Sequence, residues 1–292
     1  MIRSTARQTI SFIGFVGPVL AAFAVIVVVP FLWGIYFSLT RWNGIVKSEV
    51  AWRGPQNFIE LLSDQTFLQS FWFTAKFTVV AVILINLIGF LLALLVTQPL
   101  RSSNGLRTVF FMPNLIGGLI LGFVWQFIFV KVFASIGDIT GIQALKGWLA
   151  TPETGFWGLE ILMCWQMSGY VMIIYIAALL SIPRELIESA EIDGASTLAR
   201  IRHITIPLVM PAFTVSLFLM LSNSFKLYDQ NLSLTGGGPF RATEMLAMNI
   251  YNTAFVFDRM GMAQAKAVVF FIIVAGISLL QVRSTKRREV EY

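Results

Sequence analysis

Residues equipped for chemistry are sparse in this chain, and their types point to recognition rather than to reaction. His203 is the only histidine and Cys164 the only cysteine. One cysteine cannot form an internal disulfide, and in apolar surroundings it reads as a small core side chain. No Walker motif, HExxH, histidine–cysteine cluster or Gly-x-Ser-x-Gly elbow occurs. The run Leu234-Thr235-Gly236-Gly237-Gly238-Pro239 lacks the Gly-Lys-Ser/Thr of a phosphate loop and reads as a flexible turn. Neither catalysis, nor a metal site, nor a cofactor held by this chain is expected. Carboxylates able to carry protons or sodium through a bilayer are nearly missing, since Glu160 falls close to one membrane interface and no acid falls in mid-span. What remains is two polar clusters in apolar surroundings and one long charged stretch, residues 181–211. The clusters are Trp165-Gln166-Met167-Ser168-Gly169-Tyr170 and Ser222-Asn223-Ser224-Phe225-Lys226-Leu227-Tyr228-Asp229. Such groups are costly against lipid, so they are expected to face a bundle interior or a wet cavity. Lys226 and Asp229, three apart, could instead pair on one helical face.

The charged stretch has its own punctuation. Ser181 can cap a helix, Pro183 presets its first turn, and Glu185 and Glu188 suit the positive end of the helix dipole. The helical pattern runs to Ile192, breaks at Asp193-Gly194 and resumes from Ser196 to His203. It is expected to stop at Ile206-Pro207, because proline disfavours helical geometry in the residue before it. His203, near that end, is expected to bond the last carbonyls or lipid headgroups. The stretch is therefore helix, glycine elbow, helix.

These elements must be held by a membrane. The chain is 57% hydrophobic and 12% charged, against about a quarter charged in soluble domains. The net charge of +6 comes from dispersed residues, without the clustered basic face that nucleic acid needs. Windows of about 20 apolar residues place six helical spans, at 12–38, 71–97, 107–130, 157–180, 208–228 and 262–281, in one all-α membrane domain covering 1–292. The first run is too long for a signal-peptide core and reads as a retained span. Arg3, Arg7, Arg101, Arg107, Arg184, Arg200, Arg202, Arg283, Lys286, Arg287 and Arg288 fall in short segments on one side. Arg41, Lys47, Arg53, Lys131, Lys146, Lys226, Arg241 and Arg259 spread over longer ones on the other. The bias puts both termini and the 181–207 loop inside.

Several local expectations follow. The 98–107 turn is short enough to make spans two and three antiparallel neighbours. Gly117-Gly118 serves close helix packing, as does the small-residue face Gly261, Ala263, Ala265 and Ala267. Lys76, Lys131 and Lys266 snorkel to the interface. The segment 244–258 lies as a helix along the outer interface.

The spacing Glu188-Ser189-Ala190, Gly194, Ile204, Ile206-Pro207 resembles the EAA loop of permease subunits of binding-protein-dependent ABC importers. Ser189 stands where that pattern has alanine, and Ile206 where it has leucine. The LTGGGP run and Trp42-Asn43-Gly44 resemble the carbohydrate permeases of the maltose and oligosaccharide type. The resemblance implies a six-helix, type I importer permease that pairs with a second, related permease. It would dock two cytoplasmic ATPase subunits that bind the ATP, and receive a sugar from an extracytoplasmic solute-binding protein. It assigns coupling to the ATPase to Glu188, Ser189, Ala190, Asp193, Gly194, Ile204 and Pro207. Tyr170, Asn223, Ser224 and, less directly, Lys226 fall to the substrate path. A glycerol-phosphate-type substrate stays open, as do a secondary transporter working alone and a channel, which would need no loop fitted to a motor.

Overall fold

The computed structural model describes residues 2–45, 49–98 and 101–287; Lys47, Arg288 and the chain's last residues lie outside them. Among the described residues, six helices are long and apolar enough to cross a membrane: Phe12–Ser38, Gln65–Val96, Gly118–Thr140, Pro152–Leu180, Thr197–Phe225 and Met260–Lys286. They are spans one to six below. Their lengths of 23 to 32 residues correspond to about 35–48 Å. Internal contacts divide the chain into two units, Met1–Asp64 with Ile250–Phe271, and Gln65–Asn249 with Ile272–Tyr292.

In the first unit a two-residue strand pair, Thr40–Arg41 with Ala51–Trp52, follows the first span. Buried Asn57 pins it by donating to the carbonyls of Ser38 and Thr40, each at 2.8 Å. Gly261, at the start of the sixth span, comes so close to the Thr40 carbonyl that a Cβ would collide with it. Lys266 does not snorkel. It is 2% exposed, and its ammonium lies 2.8 Å from Asp64 and 3.0 Å from the Thr253 hydroxyl. A buried cation needs such a partner more than it needs the interface.

The second unit is built on spans two, four and five. Phe77 packs edge-on to Phe156, and Gly89 meets Val171 and the Ser168 carbonyl, which sets spans two and four side by side and parallel. Span five runs antiparallel to span four. Near the end bearing the 181–207 loop, Tyr175 donates to Asn86 Oδ1 at 2.6 Å, and Ser216 reaches the same oxygen at 2.6 Å. This knot is fully dehydrated, with Tyr175 and Ser216 at 0% exposure, and it ties all three spans together.

Five further expectations are corrected. Span three is Gly118–Thr140 rather than 107–130. Ser103–Phe111 is a separate helix, followed by a 3-10 turn over Met112–Leu115 and extended Ile116, because Pro113 cannot continue the ladder. Lys131 is therefore exposed within that span, in the π-helical turn Ile128–Val132, rather than at its end. The second loop helix does not stop at Pro207 but continues into span five. The intervening residues Ile201–Thr205 wind as a π-helical turn, which relieves the clash that a proline ring makes with the carbonyl four residues back. The LTGGGP run is not a flexible turn. Asn231, at 0% exposure, donates to the Thr235 hydroxyl and the Thr243 carbonyl and accepts from the Met245 amide, while Thr243 donates to the Gly238 carbonyl at 2.6 Å. Nor does 244–258 lie on the interface alone: Leu246, Met248, Asn249, Thr253 and Ala254 are buried.

Candidate functional site

Span five does not cross as one rod. The helix ends at Phe225, Lys226 and Tyr228 leave helical geometry, and a short helix resumes over Asp229–Leu234. Asp229 in its first turn suits the positive end of a helix dipole. The break opens a recess of about 380 Å³ lined by Asn223, Lys226, Tyr228, Asp229 and Gln230, with Met163 and Met167 of span four as its apolar wall. Those methionines lie about 17–22 Å along a helix of about 43 Å, so the recess sits at mid-depth. The i, i+3 pairing of Lys226 with Asp229 is excluded by the loss of helix between them, and no such ion pair forms. Asn223, Lys226 and Asp229 line the recess, and their side chains have no hydrogen-bond or ion-pair partner among the described residues.

The break is braced from behind. Gln230 donates to Gln166 Oε1 at 2.8 Å, and Gln166 donates to the Ile116 carbonyl at 3.1 Å. That carbonyl belongs to the non-helical joint before span three, where it has no helical partner. Gln166 is 4% exposed, so one buried amide satisfies two interrupted elements at once. Gly118 and Gly122 make this possible, since a Cβ on either would enter the side chain of Gln230 or Ser233.

Of the residues assigned to the path, Asn223 and Lys226 line the recess. Ser224, adjacent to it, is 0% exposed with a hydroxyl that has no partner. Tyr170 does not line it but packs against the apolar core. A larger cavity, of about 780 Å³, lies in the first unit around Arg41, Asn43, Asn57 and Arg259. Its floor is already paired, Arg53 to Glu60 at 2.6 Å and Arg259 to Glu60 at 3.4 Å.

The 181–207 loop forms a second site. Its helix Arg184–Ile192 closes in a Schellman arrangement: Ala195 N–H donates to the Ala190 carbonyl at 2.9 Å and Gly194 N–H to the Glu191 carbonyl at 3.0 Å. Gly194 adopts φ +77°, the left-handed region that favours glycine. Ser196 caps the following helix at the Ala199 amide. Across the elbow Glu191 pairs with Arg200. Glu188, Ser189, Asp193 and Gly194 face outward, and so do two apolar side chains, Ile192 at 87% and Leu198 at 74% exposure. Ala190, Ile204 and Pro207 are half-buried. His203 Nδ1 lies 3.0 Å from the Ala199 carbonyl. Sequence reasoning missed the Glu191–Arg200 clasp and the Gln166–Gln230 brace. For the former the opposite charges flanking the elbow were a usable signal; for the latter none existed without knowing where span three breaks.

Residues 85–290, which contain the elbow and the recess, match the model of the binding-protein-dependent transport system inner membrane component family. The chain belongs to that family. The permease is 53% identical over 95% of its length, and 94% of the relative's, to a probable starch degradation products transport system permease protein of Thermoanaerobacterium thermosulfurigenes. It is 30% identical, over 80% of both chains, to the sn-glycerol-3-phosphate transport system permease protein of Yersinia pestis. Its fold is shared with a chain of a bacterial alginate ABC transporter solved in complex with an alginate pentasaccharide-bound periplasmic protein, at TM-score 0.82 and 19% identity, covering 98% and 97% of the two chains. The permease is thus a multi-pass membrane protein of a transport family, not of an enzyme family.

Proposed function

We propose that the permease forms half of the membrane pathway of an ATP-driven importer for a sugar or oligosaccharide, lying in the cytoplasmic membrane with both termini and the 181–207 loop inside. A second, related permease supplies the other half, two ATPase subunits bind and hydrolyse the ATP, and an extracytoplasmic binding protein delivers the sugar. The mid-depth break in span five carries this reading. It gathers amide, carboxylate and ammonium groups, without partners among the described residues, beside an apolar wall at mid-depth, which suits a sugar's hydroxyls and matches the depth at which broken helices bind substrate in transporters. Asn223 and Lys226 hold the substrate there, Ser224 joins them once the recess opens, and Tyr170 supports the path from the core side.

The elbow is the contact for the motor. A flexible tether would absorb a displacement, whereas a capped, clasped helix transmits it. Glu188 and the exposed Ile192 and Leu198 meet the ATPase, and a charged hydrogen bond from Glu188 contributes about 1.5–3 kcal/mol once formed. Ser189, Ala190, Asp193, Gly194, Ile204 and Pro207 fix the shape that is met. Lys226 in the recess favours one second reading, a glycerol-phosphate-type substrate. Vesicles containing the assembled importer decide between them. ATP-dependent uptake of a neutral oligosaccharide that requires the binding protein is expected; uptake of glycerol 3-phosphate alone would replace the sugar reading, and uptake driven by an ion gradient without ATP would sink both.

A further inference from the structure

Glu160, in span four, is 1% exposed, and neither carboxyl oxygen has a hydrogen-bond partner among the described residues. Burying a carboxyl without a partner is costly. A second state of the molecule that gave it hydroxyl donors to hold would offset that cost. The place of Glu160 indicates what those donors are. Glu160, Met163 and Met167 share one helical face at i, i+3 and i+7, and the two methionines wall the recess. Glu160 therefore sits one turn, about 4.5 Å, beyond the recess on the side away from the 181–207 loop.

It is not alone there. Thr78 on span two is 2% exposed with a hydroxyl that has no partner. The contact of Phe77 with Phe156 places it within about a turn of Glu160 in depth. Ser224, on the opposite side of the recess, is likewise dehydrated and without a partner. All three are enclosed by this chain itself, so neither lipid nor a second subunit reaches them while it stays closed. The recess opens beside them, and Asp229 and Gln230, which line it, begin the short segment Asp229–Leu234, joined to span five by non-helical residues.

We propose that Glu160 is a specificity-determining residue for a neutral, hydroxyl-rich substrate. When Asp229–Leu234 shifts from span four, the recess deepens by one turn. The Glu160 carboxylate then accepts hydrogen bonds from adjacent sugar hydroxyls, with the Thr78 hydroxyl at a similar depth and that of Ser224 across the recess. A carboxylate at that point repels a phosphate and favours a neutral sugar. This inference rests on the sugar-importer reading above.

The test uses the complete importer in vesicles, saturated with loaded binding protein and supplied with radiolabelled maltotriose. Glu160→Gln keeps the shape and removes the charge. It is expected to lower uptake about tenfold or more, the loss of one charged hydrogen bond, while ATP hydrolysis stimulated by the binding protein stays near wild type. Glu160→Asp should restore part of the uptake. Uptake by Glu160→Gln equal to wild type, or a parallel loss of uptake and stimulated hydrolysis, overturns the assignment. In a Cys164→Ala background, Glu160→Cys should react with a hydrophilic thiol reagent only during ATP turnover, and more slowly with maltotriose present. Labelling indifferent to turnover or to sugar also overturns it. A wild-type importer that takes up no carbohydrate at all would instead bring down the functional reading on which the inference rests.

Discussion

The same polypeptide stretch is interrupted twice, at Gly194 and at Lys226–Tyr228, and the two interruptions are opposites. The elbow at Gly194 is exposed, and its freed backbone groups are satisfied within the chain by the Schellman bonds and the Ser196 cap. The break at Lys226 is deep and leaves polar side chains without partners. A joint complete in itself keeps its shape and can push on something. A joint left incomplete waits for a ligand to complete it.

The largest effect expected from breaking this contrast is at the elbow. Nothing lies within 4 Å of a Cβ built on Gly194, and the residue is exposed, so the main cost expected of Gly194→Leu is the left-handed backbone strain, about 1–2 kcal/mol. The subunit should insert and pair, yet uptake should collapse and ATP hydrolysis should lose its dependence on loaded binding protein. Normal uptake by purified mutant complex would show that the elbow merely ends a helix.

Next in size is the brace behind the break. Gln166→Leu strips the partner from both Gln230 and the Ile116 carbonyl, and is expected to destabilise the subunit by about 2 kcal/mol or more, read as a lower unfolding midpoint in detergent. An unchanged midpoint would mean that water reaches the joint.

A smaller change is expected at the recess itself, where Asn223→Ala should slow sugar uptake about threefold to tenfold with assembly intact. Tyr170→Ala, by contrast, should lower stability more than it changes sugar preference. If both variants transport every substrate normally, neither residue belongs to the path. The smallest effect is at the Glu191–Arg200 clasp, exposed on its acidic side. Glu191→Ala should cost about 0.5 kcal/mol or less, detectable as faster amide exchange at Ala195 rather than as lost transport.

The elbow was legible in the sequence because every signal in it is local: Gly194, Ser196 and the acids of the first turn act within a few residues. The spans were legible for the same reason, hydropathy being a sum over neighbours. The boundaries that failed were those where one residue's local habit met a nonlocal remedy. Pro207 reads as a stop until a π-helical turn accommodates it, and the apolar residues 107–117 read as membrane span until Pro113 breaks them and Gln166 seals the gap from 50 residues away. Lys266 failed for a kindred reason, and the burial of Glu160 went unread, because enclosure by other helices leaves no trace in a window of neighbours. The recess was half legible: its polar residues could be named, but not the break that turns them toward one another.

The knot of Tyr175, Asn86 and Ser216 lies between the elbow and the recess, about 12–18 Å from the latter along span four. Helices pinned there by buried hydrogen bonds cannot splay on that side without stranding three polar groups in a dry interior. On the proposed coupling, a stroke delivered at the elbow would arrive at the recess as displacement of a solid block, with little spent on bending along the way. Beyond it lies the non-helical joint at Lys226–Tyr228, the place where span five is free to change direction. Distances between spin labels on spans two and five should stay fixed through the ATP cycle on the elbow side of the knot, and change on the other.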